Sequence, residues 1–317
     1  MPAETWYRDG RREIEFISAD FVEAAIKDFL ESGTNTSRMA GAILQVATAV
    51  ELLLKNYLEK ICPALILDKI DDAGLQVAKL YDLGKVMISP KELDATTLKT
   101  ASFSNIIQRV GKFMDLSKDE KHLRDLQNIR NALVHHRRKV EVLKVNLLLA
   151  RHIFPFVRKL GQMDRSVVLR ITSETWDKIQ ELERLSVSAL ASQIAKRIAH
   201  FSNLASEMSE AKTLHLAKSI PELNSKEDIT SDDLSCLACH RNTATIFRDI
   251  DVDVEDGEIV GAYATFRMTC RVCEIEFDYE ELNYIVKNFE KFAPENSPGE
   301  LERWTAALEL DTYDEYS

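Results

Sequence analysis

The feature that most constrains this chain is the spacing of four cysteines in its C-terminal third. They form two C-x-x-C pairs, Cys236 with Cys239 and Cys270 with Cys273. Two intervening residues let a tight turn direct both sulfurs at one ion, and four thiolates complete the tetrahedral coordination that zinc prefers. Because four protein ligands leave no position open for water, the spacing predicts a structural zinc site and not a catalytic one.

The segment between the two cysteine pairs alternates apolar and acidic residues, which is typical of β-strands. Residues 250–254 read Ile-Asp-Val-Asp-Val, 256–257 form an Asp-Gly turn signal, and a second strand is expected over 259–268. A cysteine pair, a hairpin and a second cysteine pair, in that order, resemble a zinc ribbon. Because so small a module buries little apolar surface, we expect the metal to supply much of its folding free energy.

Two other interpretations of the cysteines stay open at this point. A redox-active dithiol is disfavoured because no thioredoxin-like βαβ pattern surrounds either pair, and His240 is able to replace one cysteine as a ligand. The fifth cysteine, Cys62, stands alone, and metal ligation without disulfides is typical of a reducing compartment. Residues 1–14 lack an apolar leader core, and the apolar runs are too short to span a bilayer. We therefore expect a cytoplasmic protein without a membrane partner.

The first 220 residues have the apolar spacing of α-helices. We predict helices over 20–31, 39–61, 72–83, 103–115, 117–134 and 140–161. Residues 162–220 contain neither Gly nor Pro, and apolar residues recur in them every three or four positions. This seam is expected to pack against a partner helix or a second subunit, or to face the core of one subunit. The predicted fold class is therefore mainly α, a helical bundle with a long helical extension and a small β-hairpin ribbon.

The changes of pattern along the chain predict four parts. Residues 1–161 form a helical domain, 162–222 a long helical connector, 223–293 the zinc ribbon and 294–317 an acidic tail. The polar stretch 224–231 is interpreted as a linker, and the tail is expected to be partly disordered.

Charge is distributed unevenly between these parts. The whole chain carries −11, but residues 221–317 alone carry −16, from 24 acidic and 8 basic residues. Residues 121–160, by contrast, hold ten Lys or Arg against two acids. A basic patch of that density is able to bind phosphates, whereas the acidic ribbon and tail favour contact with a protein partner over contact with nucleic acid.

The basic patch contains the sequence Arg130-Asn131-Ala-Leu-Val-His135-His136 at the end of the predicted helix 117–134. On a helix Asn131 and His135 share one face, with Arg130 about 100° around it. Histidine acts as acid or base near neutral pH, and arginine stabilises the charge that builds on a phosphate. Together they are able to cleave RNA without a metal. A base takes the proton of the ribose 2′-OH, the oxygen attacks the adjacent phosphate, and an acid protonates the leaving 5′-oxygen.

At this motif the chain resembles a known family, because Arg130-Asn131-x-x-x-His135 matches the R-N-x-x-x-H form of the Arg-x(4–6)-His signature of HEPN-domain endoribonucleases. The resemblance extends to residues 50–55, which are similar to the first long helix of that all-α domain. An acidic residue there often faces the motif arginine, and Glu51 is the matching residue. The resemblance covers roughly residues 20–161. The family includes toxin–antitoxin, abortive-infection and other RNA-targeting proteins.

The resemblance implies a metal-independent endoribonuclease that acts as a homodimer, with two copies of the motif facing each other across one cleft. Its biological role would be that of a toxin or anti-phage effector. By similarity, Arg130 stabilises the phosphate, His135 is the general acid or base, Asn131 orients the histidine or the RNA backbone, and Glu51 faces the arginine. His136 also fits the looser spacing of the signature, so the choice between the two histidines stays open.

Each of these residues also has a purely structural interpretation. Arg130 and Asn131 are able to make helix-end hydrogen bonds while His135 caps carbonyls, and Glu51 is able to pair with Lys55 on its own helix. The alternative function is a non-catalytic HEPN-like dimer that binds RNA or docks protein partners through the ribbon and the acidic tail.

Overall fold

The computed structural model of the protein describes residues 20–33, 35–67, 100–136, 140–163, 171–218, 227–255, 258–293 and 299–308. The predicted helix over 72–83 lies outside these residues. The chain forms two compact units, Met1–Ser186 and Val187–Ser317, which we call the helical unit and the ribbon unit. Their division falls inside one long helix, so the stretch predicted as a connector contributes to both units.

In its described residues, the helical unit consists of a series of helices. They are α1 (20–32), α2 (Thr36–Ile61), α3 (Phe103–Val110), α4 (Glu120–Asn131), α5 (Val142–Leu147), α6 (Phe154–Met163) and the first part of α7 (Ser173–Ser206). A π-turn over Ala132–His136 extends α4, and a second π-turn over Leu148–Ile153 joins α5 to α6. The mainly helical fold class is therefore confirmed.

The helix α2 supplies much of the core of this unit, as the apolar spacing over 39–61 predicts. Ala47, Leu54 and Leu58 are completely buried, and burial of a leucine stabilises a fold by about 1.5–3 kcal/mol. The Asn35 side chain accepts a hydrogen bond from the backbone N–H of Arg38 at 3.0 Å and so caps the start of the helix. By length and composition alone α2 also passes as a membrane span, but half of its most apolar window is buried inside the unit, as in a core helix.

The helix α4 carries the basic motif and packs against α2 through its buried leucines, Leu123 and Leu126. It begins at Glu120 and not at Ser117, and the backbone N–H of Ser117 donates to the Asp115 carboxylate at 2.9 Å. At its other end the backbone continues as a π-turn that includes His135.

The ribbon unit contains the second part of α7, a four-stranded antiparallel sheet and short flanking helices. Its elements are α8 (Glu210–Ala217), β1 (Glu227–Ser235), β2 (Asn242–Glu255), β3 (Glu258–Cys270), β4 (Glu276–Phe277), α9 (Tyr279–Lys287) and α10 (Glu300–Ala307). The strands lie in the sheet in chain order. Glu255 pairs with Glu258 on either side of the predicted turn, so the β2–β3 hairpin is confirmed.

Two parts of the ribbon unit differ from the sequence-based expectation. The linker predicted over 224–231 is wrong from Glu227 onward, because β1 begins there and pairs with β2 through an irregular register. An edge strand with bulges does not need strict alternation of apolar and polar residues, so the polar sequence of β1 does not predict a strand. In the tail expected to be partly disordered, residues 300–307 form α10, and Trp304 anchors this helix because it is completely buried.

The second part of α7 is held to the sheet-bearing part of the ribbon unit by a partly buried ion pair. The Arg197 guanidinium bonds the Glu281 carboxylate of α9 and lies 5.0 Å from the centroid of the Phe277 ring. Along α7, the seam residues Leu190 and Ile194 are buried within the chain. The core-facing interpretation of the seam therefore applies to these two residues.

Candidate functional site

The four cysteines of the ribbon unit lie together as one cluster. Their sulfurs are all within 4.8 Å of one another, with Cys236 and Cys273 at 3.6 Å and Cys239 and Cys270 also at 3.6 Å. A tetrahedron of sulfurs at 2.3 Å from a central ion has edges of about 3.8 Å, whereas a disulfide needs about 2.05 Å. The geometry is thus that of a structural metal site. His240 is exposed and is not one of the grouped ligands.

The two cysteine turns have the same backbone design. In the first turn the N–H of Cys236 donates to Arg241 O at 2.9 Å, and in the second the N–H of Cys270 donates to Ile275 O at 3.0 Å. The residue after each turn, His240 and Glu274, has a left-handed backbone with φ of 57° and 60°. Each of these residues donates its N–H to the first cysteine carbonyl of its turn at 2.9 Å. This repeated geometry directs both pairs of sulfurs to one point.

The electrostatics of the cluster favour a bound cation. Contact with the neighbouring sulfurs, of which Cys236 has the largest effect, holds the pKa of Cys270 below its ordinary value. The pKa of Cys236 is instead raised, and contact with the Cys239 sulfur is the largest cause. Sulfurs this close cannot all carry charge unless a cation lies between them. A metal ion resolves this conflict because it takes the place of the remaining protons.

In the helical unit, the motif arginine forms an ion pair with the first long helix. Arg130 Nη1 on α4 lies 3.0 Å from Glu51 Oε2 on α2. The same carboxylate also bonds Lys55 Nζ through its Oε1 at 2.6 Å, so Glu51 contacts both the arginine and the lysine that the sequence offered as alternative partners. The Glu51 side chain is only 13% exposed, whereas that of Arg130 is 33% exposed. One carboxylate therefore fixes two cations at a partly open surface.

The second half of the motif forms a π-turn and not a regular α-helix. In an α-helix, residues five apart are rotated by about 140°, but a π-turn hydrogen-bonds residues five apart and stacks them. The turn over Ala132–His136 therefore changes the register of the residues that follow Asn131 relative to a regular α-helix. His135 is exposed and Asn131 is half-buried. His136 belongs to the same turn, so whether His135 or His136 is the general acid or base stays open.

Sequence reasoning missed Lys55 as a member of this site. Its Nζ also lies 3.2 Å from Thr100 Oγ1, so the lysine is held from two sides. Only the spacing of four from Glu51 pointed to it, and that spacing equally fits an ordinary helix-surface pair.

A second feature that the sequence did not reveal is a stacked pair of imidazoles. The rings of His122 on α4 and His152 in the second π-turn lie 3.5 Å apart with an interplanar angle of 15°. Burial, with smaller contributions from Lys121 and Arg151, lowers the pKa of His122 to about 4. Because parallel rings at this distance direct their nitrogens along parallel lines, the pair is unsuited to share one metal ion.

Comparison with known proteins adds no relative for this chain. No family model, no curated protein and no solved structure matches it. The functional interpretation therefore depends on the residues and contacts described above.

Proposed function

We propose that this protein is a metal-independent endoribonuclease of the HEPN type, which acts as a homodimer and carries a structural zinc ion in its ribbon unit. The observation that carries the proposal is the ion pair of Arg130 with Glu51, at 3.0 Å, five residues along the chain from the exposed His135. An arginine that serves only as a helix-end group does not require a partner on the first long helix.

The charge balance of the site supports phosphate binding. Glu51 carries one negative charge, whereas Arg130 and Lys55 carry two positive charges. The excess positive charge is available to a phosphate at a surface where His135 is also exposed. Glu51 fixes the direction of the guanidinium before substrate arrives, which is the arrangement that stabilises developing charge best.

The chemistry assigned to these residues is transesterification within RNA. One His135 takes the proton of the ribose 2′-OH, the 2′-oxygen attacks the adjacent phosphorus, and the bond to the 5′-oxygen breaks. A second His135, in its protonated form, gives a proton to that leaving oxygen, so the products are a 2′,3′-cyclic phosphate and a 5′-hydroxyl. Arg130 neutralises the charge on the phosphoryl oxygens, and Asn131 orients the histidine or the RNA backbone. Because each chain supplies one such histidine, the mechanism needs two protomers at one cleft.

The zinc ion has no part in this reaction. Zinc is the metal we assign to the cysteine cluster, since four thiolates at tetrahedral spacing are the usual structural zinc ligands. These ligands would hold it closed to water, and the ribbon unit would depend on it for folding. We expect about one zinc per chain by elemental analysis.

The decisive experiment incubates the purified full-length chain with mixed RNA in EDTA. The parent protein is expected to cleave RNA and to leave 2′,3′-cyclic phosphate ends, while Arg130→Ala and His135→Ala are expected to lose activity by at least about 100-fold. The matched controls Arg184→Ala and His200→Ala remove an exposed arginine and an exposed histidine on α7. These controls are expected to cleave as the parent does. Equal cleavage by all five proteins, or by none, contradicts the proposal.

The dimer is tested by mixing protomers. Because both protomers contribute to one cleft, an excess of the doubly substituted Arg130→Ala/His135→Ala chain should suppress the parent activity well beyond simple dilution. Activity that stays proportional to the parent chain present excludes a shared site.

A second candidate function is favoured by the charge pattern of β2, where acids occupy every second position from Asp249 to Glu255. Such a strand, in a region that carries −16, fits a partner protein with a basic surface. In this alternative the helical unit is a non-catalytic dimer that binds RNA or protein. An RNA pool that stays intact with every preparation, together with capture of a basic partner, favours it. A toxin or anti-phage role belongs to the first candidate and follows from the resemblance alone.

A further inference from the structure

The side chain of Thr243 lies within the cysteine cluster. Its Oγ1 is 3.2 Å from Cys270 Sγ and 3.9 Å from Cys239 Sγ. These two sulfurs belong to different cysteine turns, so one hydroxyl contacts both. Thr243 is only 4% exposed, and water has little access to this hydroxyl.

The backbone of Thr243 is fixed by the same two turns. Its N–H donates to Arg241 O at 2.9 Å, next to the first turn. Its carbonyl accepts the N–H of Arg271, which lies between the two cysteines of the second turn, at 3.0 Å. A β-branched residue with both backbone groups bonded has little rotational freedom. The hydroxyl is therefore positioned in advance and does not find the sulfur by chance.

The chemistry of the contact depends on what the sulfur carries. A metal-bound cysteine is a thiolate, which has no proton to give, so the Thr243 hydroxyl has to be the donor to Cys270. Four thiolates around one divalent cation leave a net charge of about −2 in a largely buried cluster. A donor aimed at one sulfur spreads that charge and stabilises the loaded site. The backbone N–H of Ala238, at 3.4 Å from Cys236 Sγ, makes the corresponding contact in the first turn.

We infer that Thr243 is a positioning residue for the metal, which raises metal affinity by donating its O–H to Cys270 and by holding the two cysteine turns together. This inference rests on the proposed metal occupancy of the cluster, and it assigns no ligand role to the threonine. Groups of this kind contribute about 10–100-fold to metal affinity in proteins.

The test compares three full-length chains: the parent, Thr243→Val and Thr243→Ser. Thr243→Val keeps the branched shape and removes the hydroxyl, whereas Thr243→Ser keeps the hydroxyl. Zinc affinity is measured by competition with a chromophoric chelator under reducing conditions. Thr243→Val is expected to bind zinc about 10–100-fold more weakly than the parent, and Thr243→Ser is expected to recover most of the loss.

A spectroscopic measurement separates the hydrogen bond from general loosening of the fold. In the cobalt-substituted protein, the sulfur-to-cobalt charge-transfer band should shift in Thr243→Val, because the sulfur loses a donor, and should stay near its parent position in Thr243→Ser. Thr245→Val is the matched control, since Thr245 is also buried in β2. It is expected to leave both affinity and band unchanged.

The possible results are distinguishable. If Thr243→Val binds zinc as tightly as the parent with an unshifted band, or if Thr243→Ser is as weak as Thr243→Val, the inference about the hydroxyl is wrong while zinc binding stands. If the parent itself binds neither zinc nor cobalt, the proposed metal site is wrong.

Discussion

The helical unit and the ribbon unit reach stability by different routes. In the helical unit, long amphipathic helices bury residues such as Leu54, Leu58 and Leu126 in one contiguous core, and the charged motif lies at its surface. In the ribbon unit, the sulfurs that would carry charge lie inside, with Cys236 and Cys270 fully buried. A buried charge is tolerated only when it is compensated. The described core of the first unit is built from apolar side chains, whereas under the proposed metal occupancy the second unit would depend on an ion for folding.

The largest effect is expected from metal removal. Stripping the metal should unfold the ribbon unit, because structural zinc contributes about 10 kcal/mol or more to folding, while the helical unit should keep its helices. Fluorescence distinguishes the two units, because Trp304 is completely buried in the ribbon unit whereas Trp6 and Trp176 both precede residue 187, where the ribbon unit begins. The Trp304 emission should shift to longer wavelength and return when zinc is restored.

The assignment of this signal is checked with Trp304→Phe, which should lose most of the metal-dependent shift. A metal-free chain that keeps the Trp304 emission of the loaded chain contradicts the proposed dependence of the ribbon unit on its metal.

The next effect concerns acid sensitivity of the helical unit. Burial lowers the pKa of His122 to about 4, below the value of about 6.5 in an unfolded chain. Between these two pH values His122 is protonated in the unfolded chain but stays neutral in the folded one. Stability contributed by neutral His122 is therefore fully present above about pH 6.5, is lost as the pH falls, and is gone below about pH 4. The loss is about 2 kcal/mol at pH 5 and about 3 kcal/mol in total.

The measurement is urea unfolding of the parent and of His122→Phe at pH 7 and pH 5, followed by helical circular dichroism. The phenylalanine keeps a ring against His152 but cannot titrate, so His122→Phe should lose about 2 kcal/mol less than the parent on acidification. His200→Phe, at an exposed position on α7, should behave as the parent. Identical losses in His122→Phe and the parent show that His122 does not cause the acid sensitivity.

A smaller effect is expected from the carboxylate at the motif. Glu51→Gln removes the charge that holds Arg130 and Lys55, and the free energy of unfolding should fall by about 1–3 kcal/mol. RNA cleavage should fall more steeply, by roughly 100-fold, because the guanidinium loses its fixed direction. The control Glu181→Gln breaks an exposed ion pair with Arg184 on α7 and should change neither quantity. A Glu51→Gln chain with parent activity places Glu51 outside the catalytic arrangement.

The smallest effect on stability is expected from backbone strain at the two cysteine turns of the ribbon unit. His240 and Glu274 adopt left-handed backbones, which cost a non-glycine residue about 1 kcal/mol. In the zinc-loaded protein, His240→Gly and Glu274→Gly should each stabilise the ribbon unit by about 0.5 kcal/mol, since glycine also loses more entropy on folding. His240→Ala keeps the backbone strain and should give no gain. Thermal unfolding checks all three, and a loss of stability in both glycine variants excludes strain at these turns.

The sequence was most informative for elements whose structure is set by residues close together along the chain. The two C-x-x-C pairs predicted the sulfur cluster because each turn is local, and the β2–β3 hairpin could be read from alternation and an Asp-Gly turn. The helix over 39–61 was equally plain, because an apolar stripe of that length fits a core helix.

The remainder depended on contacts that no local pattern encodes. The strand β1 has a polar sequence because it is an irregular edge strand, and the helix α10 forms within an acidic segment where Trp304, Ala307 and Leu308 are buried. The π-turn over Ala132–His136 has no sequence marker, yet it replaces the regular α-helix in the second half of the motif. Contact between Glu51 and Arg130 spans 79 residues, and only the family resemblance pointed to it.

The most direct test of the central claim is cleavage of a randomised RNA pool beside the same pool with every 2′-OH methylated, both in EDTA. The proposed mechanism uses the 2′-oxygen as nucleophile and Arg130 and His135 in place of a metal. The parent chain should therefore cut the unmodified pool, leave 2′,3′-cyclic phosphate ends, and leave the methylated pool intact. Cleavage of the methylated pool, or an unmodified pool that survives a folded, zinc-loaded dimer, contradicts the account.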